Sequence, residues 1–325
     1  MRTFSVLAAL TAVTAATLTL PADAAVTQDV DPRPSNEKLA EMLADLAETS
    51  AGRITVRDIG RSNENRPVWA ARVGEGLLRI QYVTQQHGDE PLGTPAAVEF
   101  LREVGAPDQE GLRSKVTIEV IVRDNPDGHQ RDWRYNYAPD ADPEFGEKGK
   151  GYDLNRYHNP DVAPDDNPAT EAGHIQRAYA EFKPEIVIDY HMQGDYRPVT
   201  ASVMWPTHPD VTPEAVNAAK QVTVVAQRAI DGGGGNVSQY PGGDYEGIAR
   251  NAYGLRGSAS VLLELSDMGA GHEQAQIRSA QAAMRAVAQA AADGSLEKVD
   301  PADADKIPQR PAVTGDNRRV DDAGD

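Results

Sequence analysis

The stretch Gln85-Gln86-His87-Gly88-Asp89-Glu90-Pro91 carries a histidine and a glutamate three positions apart. An imidazole nitrogen and a carboxylate oxygen at that spacing can turn toward one metal ion, and both donor types suit zinc. Two more chemistry-bearing residues stand at the ends of apolar runs further on, His191 and Glu264. A catalytic zinc takes three protein ligands and keeps an open position for water, and two His with one Glu form such a set. His87, Glu90 and His191 supply it. Glu264 sits in Leu262-Leu263-Glu264-Leu265, where a carboxylate is costly to bury unless it faces a cation. Beside a metal it could accept the proton of an activated water. These residues predict one zinc ion per chain and hydrolytic chemistry.

Positions so far apart need a scaffold that gathers them. Continuous apolar runs at 77–84, 116–122, 186–190 and 261–265 read as strands covered on both faces. Shorter strands are expected at 55–59 and 68–73. Over 36–49, Leu39, Met42, Leu43 and Leu46 share one helical face behind a Ser35 cap. Further helices are expected at 94–104, 171–182, 213–231 and 274–292. The alternation predicts an α/β domain with a mixed, mostly parallel central sheet and helices on both faces. Such sheets gather ligands at the carboxyl ends of their strands. His87, Asn125-Pro126-Asp127-Gly128, His191 and Glu264 all fall there. The stretches 125–152 and 157–167 show no periodicity, and loops of that length in a compact domain commonly carry function.

Composition narrows the partners. A formal net charge of -18 with no basic stripe argues against nucleic acid and anionic membrane surfaces. There is no cysteine, so thiol chemistry and disulfides are excluded. Residues 1–24 read as a signal peptide: Met1-Arg2, an apolar core from Phe4 to Leu20, then Pro21-Ala22-Asp23-Ala24. Cleavage is expected between Ala24 and Ala25, giving a secreted monomer with no membrane anchor. A catalytic domain over 25–293 and a disordered acidic tail over 294–325 complete the expected organisation.

Taken in order, H-G-D-E at 87–90, N-P-D-G at 125–128, W-R at 133–134, D-L-N-R at 153–156, His191 and L-L-E-L at 262–265 form a recognisable series. The chain resembles the zinc metallocarboxypeptidases of the carboxypeptidase A type, the M14 peptidase family, over about residues 35 to 292. The resemblance implies that His87, Glu90 and His191 hold zinc and that Glu264 is the general base and later the acid. It implies that Arg134 polarises the scissile carbonyl, and that Asn155 and Arg156 clamp the C-terminal carboxylate of a peptide substrate. Asp153 would orient a ligand histidine through its second ring nitrogen, and Tyr240 would close over the substrate.

The chain departs from the family pattern around Tyr240. Tyr240 precedes Gly242-Gly243 by a shorter gap than in the family, so Tyr245 stands as an alternative lid. The residue at the base of the side-chain pocket is Asp244, Tyr245 or Glu246. His129, His158, His174, His208 and His272 lack ligand spacing and read as surface residues. Hydrolysis of γ-glutamyl-diaminopimelate bonds in muropeptides, or deacylation of acylamino acids, are alternatives for the same site. A zinc-containing binding module is disfavoured because the ligands and the base are all present.

Overall fold

The computed structural model describes residues 29–311, and the signal peptide expected at 1–24 lies outside them. Ten strands occur in chain order: β1 Ile54–Arg61, β2 Pro67–Val73, β3 Leu78–Thr84, β4 Val116–Val122, β5 Gly146–Glu147, β6 Gly151–Tyr152, β7 Ile186–Gln193, β8 Ala201–Met204, β9 Val237–Gln239 and β10 Ala259–Ser266. The helices are α1 Asn36–Thr49, α2 Gly93–Val104, α3 Glu110–Arg113, α4 Pro126–Arg131, α5 Thr170–Phe182, α6 Pro213–Gly232, α7 Ala249–Leu255 and α8 Glu273–Asp293. Eight strands form one sheet in the order β1-β2-β4-β3-β7-β10-β8-β9. Its centre, β4-β3-β7-β10, is parallel, while β1, β2 and β8 join antiparallel. This is the mixed, mostly parallel sheet expected from the apolar runs.

The order matters for function. The chain leaves β3 for β4 on one side and later returns to β7 on the other. Strands that diverge from a common neighbour leave a crevice at their carboxyl ends, where α/β proteins hold ligands. His87 and Glu90 follow β3 directly, and His191 lies in β7.

Each central strand splits its side chains between two cores. Ile186, Ile188, Tyr190 and Met192 of β7 join the larger one, which packs α1, α2, α6 and α8. Val187 joins the smaller one with Ile175 and Tyr179 of α5 and Tyr253 of α7. Strand alternation puts Asp189 and His191 on that second face with Val187. Glu264 does the same in β10, because its neighbours Leu263 and Leu265 point into the larger core. Ser35 caps α1 by accepting from Lys38 N at 3.1 Å, as the sequence predicts.

Several boundaries differ from expectation. Leu77 is 93% exposed and precedes β3. β7 and β10 run on to Gln193 and Ser266, so His191 and Glu264 lie within strands. β8 and β9 are too short for a period to show in the sequence. The stretch after β4 is not wholly irregular: Asn125 Oδ1 accepts from Gly128 N at 2.8 Å and caps α4, which opens on Pro126.

The largest correction concerns the expected tail. Residues 294–311 pack onto the domain rather than lying disordered, and 312–325 lie outside the described residues. Leu296 is 9% exposed, Ile307 6% and Ala304 fully buried, and two 3-10 turns at Leu296–Lys298 and Pro301–Lys306 bring them in. Gln221 of α6 donates to Val299 O at 2.8 Å, and Lys220 pairs with Asp305 at 2.7 Å. A few well-placed apolar side chains suffice here because α6 offers them a ready surface. Ending the chain after Gly294 is expected to lower the melting temperature by about 4 °C or more. Calorimetry of the shortened and full chains checks this, and equal melting temperatures would refute the packing.

Candidate metal centre and active site

The loop after β3 is fixed before any ligand is considered. Gln85, at φ 59°, turns the chain out of the sheet. Its amide donates to Gly88 O at 2.8 Å, while its carbonyl accepts from Thr94 Oγ1 and Arg123 Nε, both at 2.9 Å. Asn125 ties this loop to the next through Gln86 O at 2.9 Å and Arg134 O at 3.2 Å. Gly88 and Gly128 meet backbone to backbone: a Cβ on Gly88 would lie 2.1 Å from the Gly128 carbonyl carbon. Only glycine allows that approach at 88, and at 128 a Cβ would meet Asn125 Nδ2 and Tyr135 O, both at 2.5 Å.

Held this way, three donors converge. His87 Nδ1 lies 3.0 Å from His191 Nδ1 and 2.9 Å from Glu90 Oε1, and His191 Nδ1 lies 3.0 Å from Glu90 Oε2. No other group of three His, Cys, Asp or Glu side chains converges this closely among the described residues. The opposite ring nitrogens also face carboxylates. His87 Nε2 faces Asp153 Oδ1 at 3.1 Å and His191 Nε2 faces Asp189 Oδ2 at 2.8 Å. With a proton on each Nε2, donated to these carboxylates, both Nδ1 atoms would turn lone pairs toward Glu90 and one another. Two lone pairs and a carboxylate facing one another repel unless a cation lies among them. Tetrahedral ligands about 2.1 Å from zinc lie about 3.4 Å from one another, close to the spacing found. The residues fit zinc.

The other expected residues surround this centre. Arg134 Nε and Nη2 each donate to Asp153 Oδ2 at 2.9 Å, and its Nη1 is 3.8 Å from Glu90 Oε1. Burial acts to raise the Asp153 carboxyl, but Arg134 and then His87 hold it well below the usual carboxylate range. Asp153 leads into the 3-10 turn Leu154–Arg156, which places Asn155 and Arg156 beside it, both buried. Asn155 Oδ1 accepts from Ala249 N at 2.9 Å, which fixes the orientation of its amide. Glu264 pairs in register with His191 on the adjacent parallel strand, so the two backbones lie about 4.8 Å apart with side chains on one face.

The two tyrosines are placed differently. Tyr245 packs on Phe145 at 4.7 Å between ring centroids and lies within the field of Arg156. Tyr240 lies just past β9, its N–H 3.3 Å from Val203 O. Of the candidates for the pocket base, Glu246 is engaged by Asn159.

Residues match the zinc carboxypeptidase sequence family over 39–205, just over half of the chain. The chain belongs to the zinc carboxypeptidase family. Solved carboxypeptidase structures share its fold at low identity. Carboxypeptidase A from Helicoverpa armigera is 19% identical with a TM-score of 0.62, over 80% of this chain and 74% of that one. A metallo-carboxypeptidase from Burkholderia cenocepacia is 17% identical with a TM-score of 0.60, over 78% and 69%. No functionally curated protein matches the chain. Membership makes this a zinc-dependent hydrolase, and the His-Glu-His centre is where the family's metal fits.

Sequence reasoning missed the layer beneath the carboxypeptidase metal centre. Asp189, two positions before His191, takes the second ring nitrogen of that ligand and also accepts from Gln86 Nε2 at 2.5 Å. The spacing Asp-x-His on one strand was the available signal. His158, expected at the surface, is fully buried, bonded to Tyr253 OH at 2.9 Å and Gln86 Oε1 at 2.7 Å. Burial first, then Arg256, pushes it down to about 3, so it stays neutral and places no charge behind the ligands. Asp124 is raised well above its ordinary value by burial and by neighbouring Glu171 and Asp189.

Proposed function

We propose that this protein is an exported, monomeric zinc carboxypeptidase that removes the C-terminal residue of peptides. The observation that carries the reading is the turn at 153–156. Asp153 buttresses both a metal ligand and Arg134, and the same turn presents Asn155 and Arg156 a few residues on. A guanidinium beside a buried amide matches a terminal carboxylate in shape and charge. A clamp so close to the metal fits a substrate whose scissile bond is its last.

His87, Glu90 and His191 would hold the zinc, which as a Lewis acid would lower the pKa of water toward about 7. Glu264 takes a proton from the attacking water and returns it to the leaving amine as the carbon–nitrogen bond breaks. Arg134 meets the negative charge that develops on the carbonyl oxygen, and Asp153 keeps that guanidinium aimed. Asn155 and Arg156 hold the substrate's carboxylate, and Tyr240 closes over it, with Tyr245, which lies within the field of Arg156, as the alternative. Export rests on the sequence of residues 1–24. No described helix is long and apolar enough to cross a membrane.

The test uses two peptides that differ only in a C-terminal acid or amide. The acid is expected to lose single residues from its C-terminus, and the amide to be cut at least about 100-fold more slowly. Chelation should stop both. Equal cleavage of acid and amide would remove the clamp from the mechanism. Intact peptides, with release from muropeptides or acylamino acids instead, would assign the same residues to that chemistry.

A further inference from the structure

We propose that Arg310, on the segment that follows α8, is a positioning residue for Tyr240 and so makes the C-terminal segment part of the active site. The backbone of this segment is locked to the strand that leads into Tyr240. Gln239 N donates to Pro308 O at 2.7 Å, Arg310 N donates to Gln239 O at 2.8 Å, and Gln239 Nε2 donates to Ile307 O at 2.7 Å. Gln239 and Gln309 pair as a parallel bridge. Arg310 is thereby fixed beside Tyr240 on the adjacent segment, one residue past the bridge.

Its side chain then does two things. The guanidinium carbon lies 3.9 Å from the Tyr240 ring centroid and 4.1 Å from that of Tyr196, a planar cation against two aromatic faces. Nη1 also donates to Gln193 Oε1 at 2.9 Å. Gln193 is itself oriented, because its Nε2 donates to Ser266 Oγ at 2.8 Å. Gln193 and Ser266 pair in register two residues beyond His191 and Glu264, on the same face. They form the next rung outward from the metal ligand and the base, about 6.6 Å along the strands. Arg310 therefore links the phenol of Tyr240 to the rung beside the reacting groups. Arginine suits the position, because its planar group stacks on a ring and hydrogen-bonds at its edge together, which lysine cannot do.

The inference rests on the reading above in which Tyr240 closes over the substrate. Without Arg310 the phenol would sample other positions, so substrate binding suffers more than the chemical step. Arg310→Ala is expected to raise KM about tenfold while kcat stays within about threefold. Arg310→Lys should fall between. Zinc content should be unchanged in both.

A readout independent of turnover separates the contact from the lid. Nitration of tyrosines by tetranitromethane, followed by peptide mass spectrometry, should become about threefold or more faster at Tyr240 in Arg310→Ala and stay the same at Tyr245. In a Tyr240→Ala background, Arg310→Ala should have little further effect on KM. Unchanged nitration at Tyr240 would overturn the proposal. So would a KM increase that persists in full without Tyr240. Faster nitration at Tyr240, with KM unmoved by either substitution, would instead remove Tyr240 from the substrate site and so defeat the lid reading.

Discussion

Replacing Glu264 by Gln is expected to lower kcat/KM by about 1,000-fold or more while the protein binds zinc as before. The substitution keeps shape and hydrogen-bonding capacity and removes the ability to take up a proton. Glu264 is buried, lies in the middle of a sheet and shares a face with His191 on the neighbouring strand. It is outside the converging donors, so the ligands remain intact. Peptide turnover with parallel metal analysis checks this. Normal turnover in the variant would remove Glu264 from the proton-transfer role, and loss of zinc would make it a ligand instead.

Asp153→Ala is expected to damage two functions at once, because one carboxylate serves two partners. Its Oδ1 holds His87 Nε2 and its Oδ2 holds Arg134 through two nitrogens. Loss of such a buttress weakens metal affinity about 10- to 100-fold. Releasing a donor aimed at the carbonyl oxygen costs a further factor of about 100 in turnover at saturating zinc. Arg134→Ala serves as the comparison: turnover should fall and zinc affinity should hold. If both variants kept zinc equally well, Asp153 would matter only through Arg134. Competition with a chromophoric chelator measures the affinities.

Much of this architecture is legible in the residues, for a physical reason. Strands covered on both sides must be apolar throughout, so β3, β4, β7 and β10 stand out, and α1 announces itself through its leucine face and Ser35 cap. His87, Glu90 and His191 carry metal chemistry in their types, and the fold brings them within 3.0 Å of one another. What stayed hidden depends on pairings that leave no periodic trace. His158 looked like surface because nothing in its neighbours shows that Tyr253 and Gln86 satisfy both its nitrogens. The segment after α8 looked disordered because it is polar, yet Leu296 and Ile307 anchor it and backbone hydrogen bonds to Gln239 do the rest. Arg310 could not be linked to Tyr240 from any spacing, since the link is a sheet pairing between distant parts of the chain.

That pairing also bears on self-association. A sheet that ends in an open strand offers unpaired N–H and C=O groups to a second molecule, the starting point of edge-to-edge aggregation. At one end of this sheet β1 is charged, with Arg57, Asp58 and Arg61, and is interrupted by a bulge between Asp58 and Gly60. At the other end β9 is only three residues long, and residues 308–310 run along it. The C-terminal segment thus acts as a cover strip for the sheet. Molecules that lose it to proteolysis would expose a fresh strand edge and tend to stick to one another.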